Sequence, residues 1–120
     1  MAKVKASSPI VLVYVTAPTV KTAERMGTRV VEEGLAACAN VLGPVRSVFR
    51  WKGKIERARE ALLIMKTRKS RLAALTRRIK ELHAYSVPCV VALPILGGNR
   101  EFLDWVGLES GSRRSSAKCR

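Results

Sequence analysis

The chain has 120 residues, 48% of them hydrophobic, which leaves room for one domain with one core and excludes a second domain. Its formal net charge of +14 predicts non-specific attraction to polyanions such as nucleic acids and identifies no particular partner. No stretch approaches the roughly 20 consecutive apolar residues of a membrane-spanning helix, so we expect a cytoplasmic protein without a membrane span.

The first elements predicted along the chain are a strand and a helix. Residues 10–16 form a continuous run of β-branched and aromatic residues, as in a central strand covered on both faces. Thr19 is a candidate N-cap for the helix that follows. Small and apolar residues then recur at three- and four-residue spacing as far as Gly34, which predicts one buried stripe on this helix.

A long hairpin is predicted next. Residues 38–51 and residues 55–67 both have strand character, and Lys52 with Gly53 forms the turn between them. Gly43 and Pro44 interrupt the first arm, which predicts a bend or a bulge. The arms are longer than one small sheet can cover.

The last third of the chain predicts a helix, a strand and a short amphipathic segment. Ser70 is a candidate N-cap for a helix that ends near His83. Residues 89–95 predict a fourth strand, and residues 102–106 predict the amphipathic segment. The boundaries that we expect are one domain over residues 1–108 and a basic, disordered tail over residues 109–120.

The order strand-helix-strand-strand-helix-strand predicts an α+β architecture in which two helices cover one face of an antiparallel sheet. The other face of the sheet then lacks a cover within the chain. We therefore expect copies of the chain to associate through that face, with the long hairpin reaching across to a neighbour.

Six segments of the sequence occur in the order and spacing of one known family: VLVYVTAP at 11–18, EEGLAACANV at 32–41, FRWKGKIE at 49–56, ALLIMKT at 61–67, HAYSVP at 83–88 and FLDWV at 102–106. Through them the chain resembles the CutA family of divalent cation tolerance proteins over roughly residues 10–108. The resemblance implies a homotrimer of ferredoxin-like subunits joined through the hairpin strands. It also implies a role in tolerance of copper or other divalent metals.

The resemblance points to metal ligands that this chain keeps only in part. Copper-binding members use a cysteine at the end of strand one and a pair of histidines at the end of helix two. This chain has Val15 at the cysteine position and Leu82 at the first histidine position, and His83 stands at the second. Cys89 is a soft ligand that could join His83 on Cu(I) or Zn²⁺ across a trimer interface, and Cys38 is a third candidate. The alternatives are a hydrogen-bonded histidine at a helix end and two buried strand cysteines. The expected cofactor is copper or another divalent metal, or none.

Large amphipathic residues and one cation are the candidates for the trimer interface or for a cleft between subunits: Phe49, Trp51, Lys66, Tyr85 and Trp105. Trp51 is predicted at the tip of the hairpin. Lys66, with Arg68, could attract a small anionic ligand, although two solvated charges explain them equally well. For the aromatic residues, packing within the trimer is favoured over a role in a ligand cleft.

The sequence favours a binding or structural role over catalysis. It contains no phosphate-binding loop, no dinucleotide-binding glycine motif and no nucleophile elbow. The leading expectation is a trimeric protein of metal tolerance. The alternatives are a ligand-sensing or scaffold module with an anionic ligand or a protein partner, in the manner of trimeric nitrogen-regulatory proteins, and a basic nucleic-acid binder. An RNA-recognition domain is disfavoured, because EALLIMKT in strand three lacks the aromatic residues on which bases stack.

Overall fold

A computed structural model of the protein describes residues 9–111. Its elements in chain order are β1 (Ile10–Ala17), α1 (Val20–Glu32), β2 (Cys38–Trp51), β3 (Lys54–Arg68), α2 (Leu72–Leu82), β4 (Val90–Pro94) and α3 (Arg100–Glu109). The predicted ferredoxin-like order is confirmed, and the amphipathic segment near the end is a third helix. No helix of the described chain is long and apolar enough to cross a membrane.

The four strands form one antiparallel sheet in the order β2-β3-β1-β4. Burial alternates strictly along β1, and the buried members of β1 and β3 pack with buried residues of α1 and α2 in one core. β1 is therefore central, as predicted, but α1 and α2 cover only one of its faces. The opposite face, on which alternate residues of β1 and β3 are half-buried, is called the open face below.

Helix α1 begins and packs as its sequence predicts. The Thr19 side chain accepts a hydrogen bond from the backbone N–H of Thr22 at 3.0 Å and so caps the first turn. At Gly27 the helix lies against the sheet, because an added Cβ would stand 3.0 Å from both the Ala39 Cβ and the Leu63 Cδ1. A glycine is needed there to allow this close approach of helix and sheet.

The prediction that Ser70 caps the second helix is wrong. Residues Lys69–Arg71 form a 3₁₀ turn, and α2 starts after Arg71, where no described side chain caps the first turn. Ser70 lies inside this tighter turn, one residue too early to reach the free N–H groups of α2. Helix α2 has a buried stripe, with Leu75 and Ile79 fully buried.

The hairpin of β2 and β3 turns and bulges at the predicted residues. Lys52 and Gly53 both have positive φ, 51° and 82°, as in the two-residue turns that match the twist of a hairpin. The register of the two strands shifts between Leu42 and Val45, around Gly43 and Pro44. Most residues of the arms beyond this bulge are exposed, and the molecule is elongated, with extents of 49 × 34 × 21 Å.

The end of the described chain is bound to the domain through Arg68 and Ser110. Arg68 Nε donates to the carbonyl of Gly107 at 2.6 Å, and the Arg68 N–H donates to Ser110 Oγ at 3.2 Å. Ser110 is fully buried, so the packed chain extends two residues past the predicted boundary at 108. Most of the predicted tail, residues 112–120, lies outside the described residues.

Arg46 and Arg59 lie directly opposite each other on the two hairpin arms. Like charges in this position destabilise a pair of strands, whereas opposite charges stabilise it. We expect Arg59→Glu to raise the free energy of unfolding by about 0.2–1 kcal/mol, measured by urea unfolding at low salt. Arg59→Lys, which keeps the repulsion, is the control. A gain of the same size in both variants would contradict the explanation.

Candidate functional site

His83 lies at the C-terminal end of α2 and is 9% exposed. Its Nε2 is 2.7 Å from the carbonyl oxygen of Thr16, and its Nδ1 is 3.1 Å from the backbone nitrogen of Tyr85. A carbonyl oxygen only accepts and an amide N–H only donates, so these contacts require a neutral ring with its proton on Nε2. Both ring nitrogens are therefore engaged, which matches the predicted alternative of a hydrogen-bonded histidine at a helix end.

Tyr85 joins His83 to a buried carboxylate. Its hydroxyl donates to Glu60 Oε2 at 2.7 Å, and its ring centroid lies 4.6 Å from that of His83. Glu60 is only 8% exposed, although it belongs to the hairpin. Glu60, Tyr85 and His83, together with the Thr16 carbonyl, therefore form one hydrogen-bonded cluster that ties the end of α2 to β1 and β3.

Sequence reasoning missed Glu60. This residue is 25 positions away from Tyr85 and stands in a charged stretch of a strand, where a solvated side chain is the usual expectation. The signal that could have identified it is its place immediately before the apolar centre of β3, which begins at Ala61 and is fully buried there.

The contact with Glu60 predicts a specific alkaline transition. The pKa of Tyr85 is raised from 10.0 to about 12, mainly because the side chain is partly buried and secondly because its hydroxyl is hydrogen-bonded to Glu60. The folded protein then holds this proton more tightly than the unfolded chain, so its contribution to stability is complete below pH 10 and is lost as the pH rises towards 12. We expect the free energy of unfolding to fall more steeply over this range in the native protein than in Tyr85→Phe, measured by urea unfolding. Equal slopes would contradict the assignment.

Within one subunit the structure separates Cys38 from His83. Cys38 starts β2 and is paired with Lys66 of β3, which is paired in turn with Leu12 of β1. His83 contacts Thr16, which lies four residues, or about 14 Å, from Leu12 along β1. Cys89 is exposed and lies one residue before the start of β4. The alternative of a buried strand cysteine is therefore wrong for Cys89. Cys38 is half-buried. In residues 9–111 no three histidine, cysteine or acidic side chains come close enough to hold a metal ion.

The two cations predicted to attract an anionic ligand both have partners in the protein. Lys66 Nζ donates to Asn40 Oδ1 at 3.1 Å, and the Arg68 guanidinium is bound to the carbonyl of Gly107. Arg68 therefore holds α3 against the sheet. Lys66 lies on the open face, level with Cys38 and Leu12.

The remaining interface candidates are all partly exposed. Phe49 and Trp51 lie on the hairpin arm of β2 and are 42% and 47% exposed. Trp105 of α3 packs against Phe102, with ring centroids 5.7 Å apart, and is 41% exposed. Their role in an interface stays a prediction.

The open face carries apolar side chains on all four strands. Its central row, read from β2 to β4, consists of Asn40, Ile64, Tyr14 and Val91. On the edge strands Leu42, Val91 and Leu93 are each about half exposed. Helices α1 and α2 both pack on the other face. Helix α3 contacts the open face at Ile10 and Arg68, next to Gly107.

The sequence matches the family model described as CutA1 divalent ion tolerance protein over residues 11–109. The divalent-cation tolerance protein CutA of Archaeoglobus fulgidus is 46% identical over 94 residues, which cover 78% of this chain and 91% of that protein. The CutA of Thermus thermophilus is 42% identical over 83% of this chain and 97% of its own length. The chloroplastic CutA 1 of rice is 45% identical, and the match covers 89% of this chain and 59% of the rice protein.

Solved structures show the same similarity in three dimensions. The crystal structure of CutA1 from rice superposes with a TM-score of 0.84 at 43% identity, covering 91% of this chain and 98% of the rice chain. The structure of the periplasmic CutA from Archaeoglobus fulgidus gives 0.82 at 42% identity, covering 85% and 99%. The related proteins carry chloroplastic and periplasmic names, so a cytoplasmic location for this chain stays a prediction. On sequence and fold together, the chain belongs to the CutA1 divalent ion tolerance family.

Proposed function

We propose that the protein acts as a non-enzymatic homotrimer in the response to divalent metal ions. The observation that carries the proposal is the open face, a sheet surface with half-exposed apolar residues on which neither α1 nor α2 packs. Apolar area of this kind is stabilised by burial against another copy of the chain. On the hairpin arms, Phe49 and Trp51 share the same side of the strands as the open face and extend it outward.

A ring of three copies suits the edges of this sheet. Its edge strands are β2 and β4. In the proposed trimer a head-to-tail contact joins the β2 edge of one subunit to the β4 edge of the next, and three such contacts close a ring. Such a contact also covers the unpaired backbone groups of both edges.

The same contact motivates a metal site between subunits rather than within one. Cys38 begins the edge strand β2, and Cys89 immediately precedes the edge strand β4. Thiolates are soft ligands that favour Cu(I) and Zn²⁺. We propose Cys89 as the principal ligand and Cys38 of a neighbouring subunit as its partner. His83 can join them only by giving up one of its two hydrogen bonds.

The alternative of an anion-sensing trimer has less support, because the two cations that it would use, Lys66 and Arg68, are bound to Asn40 and Gly107. An anion that displaced Asn40 from Lys66 would exchange one hydrogen bond for another, with little net gain.

A competitive titration of the reduced protein with Cu(I) and Zn²⁺ tests the metal role, with molecular mass measured in the same buffer. Cys119 is replaced by serine in every sample, which leaves Cys38 and Cys89 as the only thiols. We expect a trimeric mass and tight metal binding that Cys89→Ser abolishes and His83→Gln leaves within a few-fold. Metal binding no stronger than background would refute the metal role, and a monomeric mass would refute the trimer.

A further inference from the structure

The hairpin arms beyond the bulge carry charges that are sorted by face. Directly opposite residues of two paired strands share a face, and faces alternate along each strand. The register pairs Arg46 with Arg59, Val48 with Arg57, and Arg50 with Ile55. One face of the ribbon therefore holds four arginines, which together are called the arginine ladder: Arg46, Arg50, Arg57 and Arg59.

The acidic residues of the same arms lie on the other face. Glu56 is paired with Phe49, and Glu60 is paired with Val45. Glu60 also accepts a hydrogen bond from the hydroxyl of Tyr85. All four ladder arginines are exposed. Over residues 9–111 the ion pairs of arginines involve Arg29 and Arg78, so the ladder has no carboxylate partner in the described chain. Its charge is concentrated and uncompensated.

The ladder does not stabilise the fold. Arg46 and Arg59 face each other directly, an arrangement that destabilises a strand pair. An anionic partner bound across the ribbon would remove this repulsion. The repulsion and the missing counter-charges both point to a binding surface rather than to a structural role.

We infer that the arginine ladder binds the phosphodiester backbone of a nucleic acid without regard to sequence. Arg57 and Arg59 stand about 7 Å apart along β3, and Arg46 and Arg50 about 14 Å apart along β2. The ladder thus presents a linear row of cations to a linear polyanion that carries one charge per 3.4 Å of each strand. Guanidinium groups bind phosphate oxygens bidentately, and a two-stranded β-ribbon fits a groove of the duplex.

A nucleic acid fits this surface better than a membrane does. Membrane-binding surfaces combine basic residues with aromatic rings that enter the lipid interface. On this hairpin Phe49 and Trp51 are paired with Glu56 and Lys54 on the face away from the ladder. Because the aromatic rings and the ladder lie on opposite faces of the ribbon, a bilayer could not contact both at once. A phosphate backbone has to contact only the ladder. This inference is independent of the proposed metal role.

Fluorescence polarisation of the full chain with a labelled 20-base-pair DNA duplex, between 50 and 200 mM KCl, tests the inference. Each neutralised phosphate adds about 0.9 to the slope of log K against log salt, so four contacts predict about 150-fold weaker binding across this range from one ladder. The double variant Arg46→Gln with Arg59→Gln keeps two contacts, so its affinity should weaken only about 12-fold across the same salt range. Two duplexes of unrelated sequence should bind equally.

The matched control is Arg25→Gln with Arg77→Gln, which removes the same charge from exposed positions on α1 and α2. We expect this variant to keep the native salt slope. An equal reduction in both double variants would show diffuse charge instead of a ladder and overturn the inference. The inference would also be overturned if the ladder variant dissociated the oligomer, or if phosphatidylserine vesicles bound the ladder while the duplex did not.

Discussion

Ile64→Asp is expected to convert the proposed trimer into monomers. Ile64 lies in the central row of the open face, between Asn40 of β2 and Tyr14 of β1. In the assembled protein an aspartate there would be an unpaired charge buried against a neighbouring sheet, which costs several kcal/mol per subunit interface. In the free subunit the side chain points away from α1 and α2, so the core between them and the sheet is untouched. Analytical ultracentrifugation at micromolar concentration should show a shift from trimer to monomer.

Val31→Asp is the control for this experiment. Val31 is an exposed apolar residue of α1, on the helical layer rather than on the open face. The same substitution there should leave the mass unchanged and alter stability only slightly. A trimeric Ile64→Asp protein would exclude the open face as the interface. A monomeric Val31→Asp protein would instead place the interface on the helical layer.

Leu63→Ala is expected to cause a large loss of stability. Leu63 is fully buried in β3, between Val15 of β1 and Val41 of β2, and its Cδ1 lies where Gly27 brings α1 against the sheet. Truncation removes buried apolar surface and leaves a cavity that the sheet cannot close, since helix and sheet already touch. We expect the free energy of unfolding to fall by about 2–5 kcal/mol.

Chemical unfolding at one fixed protomer concentration measures this loss, because the stability of an oligomer depends on concentration. The comparison variant is Val31→Ala, at a partly exposed position, for which we expect a change within about 0.5 kcal/mol. A loss below about 1 kcal/mol for Leu63→Ala would mean that the core relaxes around the cavity, contrary to the close packing seen at Gly27.

Much of the fold was predictable because its signals are local. The cap at Thr19, the turn at Lys52 and Gly53 and the bulge after Leu42 each depend on the backbone preferences of a few adjacent residues. Ser70 failed as a cap because a 3₁₀ turn, which the sequence does not signal, intervenes before α2. That α1 and α2 lie on a single face of the sheet followed from the order of helices and strands.

The candidate site was less predictable, because its contacts join distant parts of the chain. His83 and Tyr85 were both identified as candidates, yet their partners are a carbonyl in β1 and a carboxylate in β3. The three proposed metal ligands are each visible in the sequence, whereas the separation of Cys38 from His83 within one subunit depends on strand register.

By itself, the sequence determined the order of the elements, the central place of β1 and membership of the CutA1 family, since hydrophobic period, turn residues and matching segments are properties of the linear chain. Only the tertiary structure decided which polar groups are already engaged. His83, Lys66 and Arg68 all look free in the sequence, and all three are hydrogen-bonded in the fold. The physical reason is that a buried or crowded polar group must find a partner, and packing, rather than proximity along the chain, selects that partner.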